Sequence, residues 1–174
     1  MCSALYSHIN RFVDLSTDEQ EILASLLKSF SFKKKAFLLE QGEICRANYF
    51  VVRGCLRLYF IDIKGVEQTT QFAIENWWIT DLTSFLFQKP SEFYIQAAEN
   101  TEVIAIEQHH YDEMFDKLPK MERYFRLILQ KNHQASQRRI MFLYSFTAEE
   151  RYRHFNGLFP DLCNAFRNIC WRLI

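Results

Sequence analysis

The sequence predicts a mainly β domain, a double-stranded β-helix (jelly roll), with an N-terminal helix and a long C-terminal dimerisation helix. Residues 32–106 hold short apolar runs rich in Phe, Tyr, Val and Ile, separated by three glycines and by Pro90. Strands at this spacing are typical of barrels and jelly rolls. From Tyr111 onwards the apolar spacing becomes helical. Aromatic residues make up 16% of the 174, and charged residues 24%, so the chain has the composition of a globular protein.

The first helix is predicted over residues 16–30, "STDEQEILASLLKSF". Ser16 can cap this helix, and Glu19 three residues later completes a capping box. One apolar stripe follows along the same segment. It consists of Ile22, Leu23, Leu26 and Leu27.

A β-hairpin is predicted over residues 56–74, "LRLYFIDIKGVEQTTQFAI". Two alternating segments flank a tight turn, and Gly65 supplies the positive φ that such a turn requires.

Three helices are predicted after the strands. "YDEMFDKLP" is short and ends before Pro119, which stands in the first turn of a long helix over residues 119–146. Thr147 and Glu150 form a second capping box that opens the last helix. The predicted organisation is therefore a β-roll over 1–118, a long helix over 119–146, and a C-terminal segment over 147–174.

The long helix carries a stripe of residues in alternating four- and three-residue steps, which is a heptad pattern. The stripe is apolar except at Asn132 and Arg139. The positions are Met121, Phe125, Ile128, Asn132, Ala135, Arg139, Phe142 and Phe146. Such a stripe can simply pack on the core of its own domain. Two features favour a homodimer instead. Asn at a core position sets register in parallel dimers, and Arg can stack or pair across a seam.

Composition excludes several classes of protein. The formal net charge is zero, so the chain does not coat nucleic acid or an anionic membrane by bulk charge. The five cysteines lack C-x-x-C spacing, which favours free thiols in a reducing cytoplasm. Neither a signal peptide nor a membrane span is predicted, so we expect a cytoplasmic location without membrane contact.

Residues 10–160 resemble the cyclic nucleotide-binding domain of the Crp/Fnr family of bacterial transcription regulators. The resemblance is carried by "EQGEICRANYFVVRGCLRLYFIDIKGVEQTTQFAIENWW", where Gly42-Glu43 matches the family's Gly-Glu turn and Gly54 its strand-ending glycine. "TAEERYRHF" resembles the segment that links the dimer helix to the DNA-binding domain. The resemblance implies that an effector bound in the roll shifts the long helices and thereby reorients the DNA-binding domains.

The resemblance also places a ligand cassette on "WITDLTSFLFQKPSEFYIQAA". Thr80 stands at the family's glycine, Asp81 at its glutamate and Ser91 at its phosphate-binding arginine. The candidate pocket residues are Trp78, Thr80, Asp81, Leu82, Thr83, Ser91 and Glu92. Loss of the arginine removes a charge-assisted hydrogen bond of roughly 1.5–3 kcal/mol, and Glu92 adds a like charge beside a phosphate. We therefore expect no classical cyclic AMP site. Either a less anionic small-molecule effector binds, or Trp77, Trp78 and Phe85 fill the pocket.

Histidine placement argues against a cupin-type enzyme. A catalytic metal needs about three converging ligands on the barrel strands, and no histidine occurs between residues 9 and 108. His109 and His110 are interpreted as surface residues at a strand–helix junction. The sequence therefore predicts no enzyme, no catalytic residue, no metal site and no cofactor.

The C-terminal segment has no clear apolar period. Back-translated with synonymous codons chosen to match, Leu162 to Leu173 read in a shifted frame contain "IP" and "LAS", which resemble the start of the family's helix-turn-helix. The resemblance thus implies that residues 119–146 are a dimerisation helix and that residues 147–174 are a truncated linker to a missing or frameshifted helix-turn-helix domain, with DNA bound only by a full-length form. The predicted function is the effector-sensing and dimerising portion of a Crp/Fnr-like regulator. The alternative is a stand-alone dimeric ligand-binding or scaffold protein without DNA binding.

Overall fold

A computed structural model describes residues 2–158 and residue 160. It contains eight strands among these residues, in two four-stranded antiparallel sheets with orders β1-β8-β3-β6 and β2-β7-β4-β5. The strands are β1 (Leu27–Phe32), β2 (Phe37–Leu39), β3 (Ala47–Arg53), β4 (Leu56–Ile61), β5 (Glu67–Ala73), β6 (Trp78–Ile79), β7 (Tyr94–Ala97) and β8 (Thr101–Glu107). The helices are α1 (Ser3–Ile9), α2 (Thr17–Ser25), α3 (Leu82–Phe87), α4 (Tyr111–Lys117), α5 (Lys120–Ser145) and α6 (Ala148–Leu158).

The two sheets face each other and enclose an apolar interior, which confirms the predicted jelly roll. Its buried residues come from both sheets and from α3. They are Leu39, Cys45, Val51, Leu56, Leu58, Ala73, Ile79, Phe85, Ile95, Ala97 and Val103.

A second core covers the outer face of the sheet that contains β3, β6 and β8. Successive strand residues point to opposite faces, so Val51 and Ile79 enter the roll while their neighbours Phe50 and Trp78 pack against the helices. The helices contribute Leu5, Ile9, Leu23, Met114, Met121, Tyr124 and Phe125, among others. Strands β3, β6 and β8 are therefore largely buried on both faces, whereas the edge strand β1 is largely exposed. The long helix is attached directly to β6.

The N-terminal region departs from the sequence prediction. The capping box of Ser16 and Glu19 is present, but α2 ends at Ser25 rather than near residue 30. Residues 27–32 instead form β1, which pairs with β8 along its whole length. The apolar spacing matches the observed helix as far as its C-cap, Leu26. Beyond Leu26, hydrogen bonds between β1 and the buried strand β8 outweigh the helical preference of the segment. A further helix, α1, was not predicted, and it buries Leu5 and Ile9.

Three glycines among the described residues have positive φ, and the sequence predicted this conformation for Gly65. Gly65 has φ 76° in the β4–β5 hairpin, where Asp62 accepts hydrogen bonds from the amides of Lys64 and Val66. Gly54 follows β3 with φ 94°. A Cβ there would lie 2.6 Å from the carbonyl oxygen of Asn100. Gly54 is therefore required both for its conformation and for close backbone approach.

The helices after β8 confirm the predicted pattern. The short helix α4 ends before Pro119, and α5 then runs for 26 residues. The Glu150 carboxylate accepts from the Thr147 amide, and the Thr147 hydroxyl accepts from the Glu150 amide, so the second capping box opens α6. Over the part of the chain that the structure describes, no helix has the length and apolar character needed to span a bilayer. The tail from Leu162 on which the frameshift expectation rests lies outside the described residues.

Candidate effector site and long helix

The predicted cassette is closed by its own side chains. Asp81 is the N-cap of α3, and its carboxylate accepts hydrogen bonds from the amides of Thr83 (3.1 Å) and Ser84 (3.3 Å). The Ser91 hydroxyl donates to the other oxygen of the same carboxylate at 2.7 Å. Asp81, Ser84 and Ser91 are all buried. The place at which a helix terminus would accept an external anion is thus taken by a carboxylate of the chain.

Backbone contacts hold Ser91 in this position. Its carbonyl accepts from the amide of Gly42, and its amide donates to the carbonyl of Glu43, each at 2.8 Å. The Gly42-Glu43 turn recognised in the sequence therefore holds Ser91 in position. The Ser91 hydroxyl also accepts from the amide of Phe93 at 3.0 Å.

Thr80 and Ser84 join the cassette to the start of β3. The Thr80 hydroxyl donates to the carbonyl of Ala47 at 3.1 Å, and the Sγ of Cys45 lies 3.2 Å from it. Ser84 accepts from the amide of Cys45 at 2.8 Å and donates to the carbonyl of Lys89 at 2.6 Å. Burial raises the pKa of the Cys45 thiol, so this cysteine is an unreactive packing residue.

Not all the predicted pocket residues lie together. Asp81 and Ser91 are in contact, and Thr80 precedes Asp81 in the chain. Leu82 is 39% exposed, and Thr83 and Glu92 also lie at the surface. The placement of Trp78 in the pocket was wrong, because this residue lies in the core on the helix side of its sheet.

The three side chains expected to fill the pocket have three different environments. Phe85 is fully buried inside the roll, where its ring packs edge-on against Tyr111. Trp77 is 44% exposed, and Trp78 is buried outside the roll. Phe85 alone of the three therefore fills the interior.

A buried arginine that the sequence reasoning overlooked does not replace the missing one. Arg57 lies between Leu56 and Leu58, whose side chains enter the roll, so it points to the outer face of its sheet. Its guanidinium donates to Glu67 at 2.8 Å and to Gln96 at 2.6 Å. Glu67 balances the charge of Arg57, and the Arg57 side chain does not enter the cassette.

A buried hydrogen-bonded triad links β6 to α5 and α1. The indole Nε1 of Trp78 donates to the Tyr124 hydroxyl at 2.8 Å, and that hydroxyl lies 2.8 Å from Nδ1 of His8. We assign the Tyr124 proton to the bond with His8, because the buried phenol would otherwise leave its donor unpaired. Burial raises the pKa of Tyr124 and lowers that of His8, so both groups are neutral. Trp78 is two residues before Thr80, so the triad connects the cassette to the long helix.

The heptad positions of α5 fall into two groups, of which the first packs on the chain's own core and the second is largely exposed. Met121 and Phe125 are buried in the chain's own helix-side core, and Ile128 packs against that core. Their assignment to a dimer interface was therefore wrong for Met121 and Phe125. The first two turns of the helix are used to attach it to the roll.

The second half of α5 has a different environment. Asn132 and Ala135 are exposed, Arg139 is half-buried, and Phe142 packs against Phe146. Large apolar side chains beside the seam face solvent. They are Leu129 and Leu143, whereas Ile140 and Met141 are exposed farther from the seam. Burial lowers the pKa of the Arg139 guanidinium without neutralising it.

Two polar features lie outside the cassette. A surface groove of about 840 Å³ is lined by charges of both signs, including Lys33, Arg53, Glu75 and Glu99, and contains none of the predicted pocket residues. At the end of β8, the structure brings His109 and His110 together with Glu107. In the sequence, the only indication of this cluster is the adjacent pair His109 and His110.

Comparisons with known proteins agree with the fold. The family model described as "Cyclic nucleotide-binding domain" matches residues 29–117. The transcriptional activator protein anr of Pseudomonas aeruginosa is 26% identical over 146 residues, covering 82% of this chain and 58% of that protein. The fumarate and nitrate reduction regulatory protein of Vibrio cholerae is 29% identical, covering 68% of this chain and 46% of that protein. The chain thus spans about half the length of the curated relatives it matches.

Solved structures show the same architecture at lower identity. A cyclic nucleotide-binding domain from Methylobacillus flagellatus superposes with a TM-score of 0.69 at 15% identity, covering 79% of this chain and 81% of that one. The sensor domain of the transcriptional regulator DNR from Pseudomonas aeruginosa gives a TM-score of 0.61 at 20% identity, covering 77% of this chain and 89% of that one. At these identities the likeness establishes the fold alone.

Proposed function

Because the chain belongs to the cyclic nucleotide-binding domain family, we propose that it is the effector-sensing and dimerising portion of a Crp/Fnr-like transcription regulator. The curated relatives named above are transcriptional regulators, which supports a regulatory rather than an enzymatic role. The observation that carries the proposal is the direct attachment of a long helix to the sheet that ends at the cassette. Trp78 precedes the cassette by two residues and bonds to Tyr124 of that helix.

The effector is not cyclic AMP. A cyclic phosphate needs amide donors and a forked cation. Here the amides of Thr83 and Ser84 already donate to Asp81, and Ser91 provides no positive charge. A phosphate at this place would meet the Asp81 carboxylate and would have to displace it from three donors. An uncharged or weakly anionic ligand avoids that repulsion.

Calorimetry of the whole chain with cyclic AMP tests this part of the proposal. We expect no binding below millimolar concentration. Micromolar affinity that changes in an Asp81→Ala variant would place the nucleotide at the cassette and overturn the argument. The exposed neighbour Glu92 provides the matched control, since Glu92→Ala removes a nearby charge without opening the cassette.

The exposed half of α5 supports homodimerisation. Residues 129–146 extend beyond the turns that attach the helix to the roll, and they carry exposed apolar side chains beside Asn132 and Arg139. A parallel partner helix would cover this surface, and the polar residues would set its register. The proposed interface therefore consists of Ile128, Asn132, Ala135, Arg139 and Phe142 together with Leu129 and Leu143.

A pair of matched variants tests the dimer. Leu143 lies one helical turn from both Arg139 and Phe146 and is 46% exposed, whereas Met141 is 52% exposed on the opposite side of the helix. We expect light scattering to show a dimer for the original chain and for Met141→Glu, and a monomer for Leu143→Glu. A monomeric original chain, or a Leu143→Glu variant that stays dimeric, would contradict this interface.

The cassette and α5 together suggest how effector binding could change the position of the long helix. A ligand changes an equilibrium only through its different affinities for two arrangements. Movement of the segment after β6 would alter the contact of Trp78 with Tyr124 and hence the position of α5. We propose that DNA binding belongs to a longer form of the protein, because the match spans only 58% and 46% of the two curated transcriptional regulators named above. A gel-shift assay of this chain should detect no operator-specific binding.

A further inference from the structure

A cluster of metal-ligand side chains lies where β8 gives way to α4. Glu107 ends the strand, and His109 and His110 follow in a single 3-10 turn. One carboxylate oxygen of Glu107 and one ring nitrogen of each histidine all lie within 4.8 Å of one another. The centroids of the two imidazole rings are 4.0 Å apart. The cluster is separate from the cassette and from the proposed interface on α5.

One pair already has the spacing of two ligands on a single ion. Two ligand atoms about 2.1 Å from a tetrahedral metal lie about 3.4 Å apart. His109 Nε2 and Glu107 Oε2 are 3.6 Å apart. The third ligand atom, a ring nitrogen of His110, lies within 4.8 Å of both, and the His109 side chain, which is 64% exposed, can adjust toward it.

The neighbouring helix supplies the support that metal-bound histidines commonly have. Glu113 in the first turn of α4 lies 2.9 Å from Nδ1 of His110. A carboxylate at this place fixes the orientation of the imidazole and raises its basicity as a ligand. Lys117 in turn bonds to the other oxygen of Glu113 at 2.7 Å, which holds that carboxylate in place.

We propose that Glu107, His109 and His110 bind one divalent transition-metal ion, with Glu113 as the positioning residue for His110. Two imidazoles and one carboxylate suit Zn²⁺, Co²⁺ or Ni²⁺ better than Mg²⁺ or Ca²⁺, which take oxygen ligands. Three protein ligands leave one or more coordination positions for water or a small ligand. The ion would tie the last residue of β8 to the residues that open α4.

Lys28 is the competitor of the metal. Its ammonium forms an ion pair with Glu107 Oε2 at 2.5 Å, so a cation already occupies part of the site. Lys28 is on β1, and its side chain is 54% exposed, so it can leave without disturbing the core. Removing this positive charge should therefore strengthen metal binding, whereas loss of a purely structural ion pair would not.

Titration of the whole chain with Co²⁺, followed by its visible absorption and by calorimetry, tests the proposal. We expect one ion per chain, bound without the near-ultraviolet thiolate band that cysteine ligands produce. His109→Ala and Glu107→Gln should each lower the affinity by more than about 100-fold, and Glu113→Gln by about 10- to 100-fold. Lys28→Met should raise it several-fold. His133→Ala, an exposed histidine on α5, should leave it unchanged.

Three results would overturn the site: no binding to the original chain, a thiolate band, or equal affinity in the His109→Ala and His133→Ala variants. The urea midpoint of each variant in the absence of metal separates these outcomes from misfolding. Should Glu107→Gln lower that midpoint, His109→Ala decides alone, because its exposed side chain can be removed without a folding defect.

Discussion

The closed cassette yields a quantitative prediction about Asp81 and Ser91. Asp81→Ala removes the cap of α3, which costs about 1 kcal/mol. It also removes the acceptor of the Ser91 hydroxyl, a hydrogen bond to a charged group that contributes about 1.5–3 kcal/mol. The free energy of unfolding should therefore fall by about 2.5–4 kcal/mol. Ser91→Ala removes the same bond and also the acceptor of the Phe93 amide, so it should cost about 2–4.5 kcal/mol.

The double variant distinguishes a shared hydrogen bond from two independent defects. If both residues act through the bond at 2.7 Å, that bond is lost only once. The double variant should then be more stable than the sum of the single effects predicts, by about 1.5–3 kcal/mol. Urea denaturation measures each free energy of unfolding, and equal slopes would show that the comparison is valid.

The neighbouring Glu92 provides the control. This residue is exposed, and Glu92→Ala should change the free energy of unfolding by less than about 0.5 kcal/mol. Additivity of the two single variants within about 0.5 kcal/mol would refute the reasoning. The cassette would then not be closed by this contact, and the argument against a phosphate ligand would lose its structural basis.

Three further predictions concern the fold around the cassette. Gly54→Ala should destabilise by about 2–4 kcal/mol, since strain and a backbone clash combine, whereas Gly65→Ala, with open space, should cost about 1–2 kcal/mol in the same urea assay. Tyr124→Phe leaves the buried indole of Trp78 without an acceptor and should cost about 1–3 kcal/mol, with a change in tryptophan fluorescence. Because burial lowers the pKa of His8, the unfolded chain binds a proton that the folded one does not. Stability should therefore fall as pH drops below about 6.5, and His8→Gln should flatten this dependence in pH-resolved urea titrations.

Local signals in the sequence were sufficient for most of the secondary structure. The Ser16–Glu19 and Thr147–Glu150 capping boxes, the Gly65 turn and the start of the long helix after Pro119 all stand where they were expected. Each rests on contacts within about one turn of chain, so neighbouring residues alone decide it. The resemblance to the Crp/Fnr family rested on such local motifs in order along the chain.

Other features depend on which distant segment covers a given face, and a periodic pattern does not contain that information. The helical spacing after Ser25 gave way because β8 pairs with residues 27–32. Met121 and Phe125 continue the heptad pattern, but the outer face of a sheet covers them.

The hydrogen bond between Asp81 and Ser91 also depends on segments that are distant in the sequence. Ser91 is ten residues from Asp81, and only the return of the chain past Gly42 and Glu43 brings its hydroxyl to that carboxylate. The sequence by itself determined the roll, the hairpin and the helices that follow β8. The tertiary structure decided which sides of them are buried and which charges are neutralised, because burial and ion pairing depend on atoms close in space rather than along the chain.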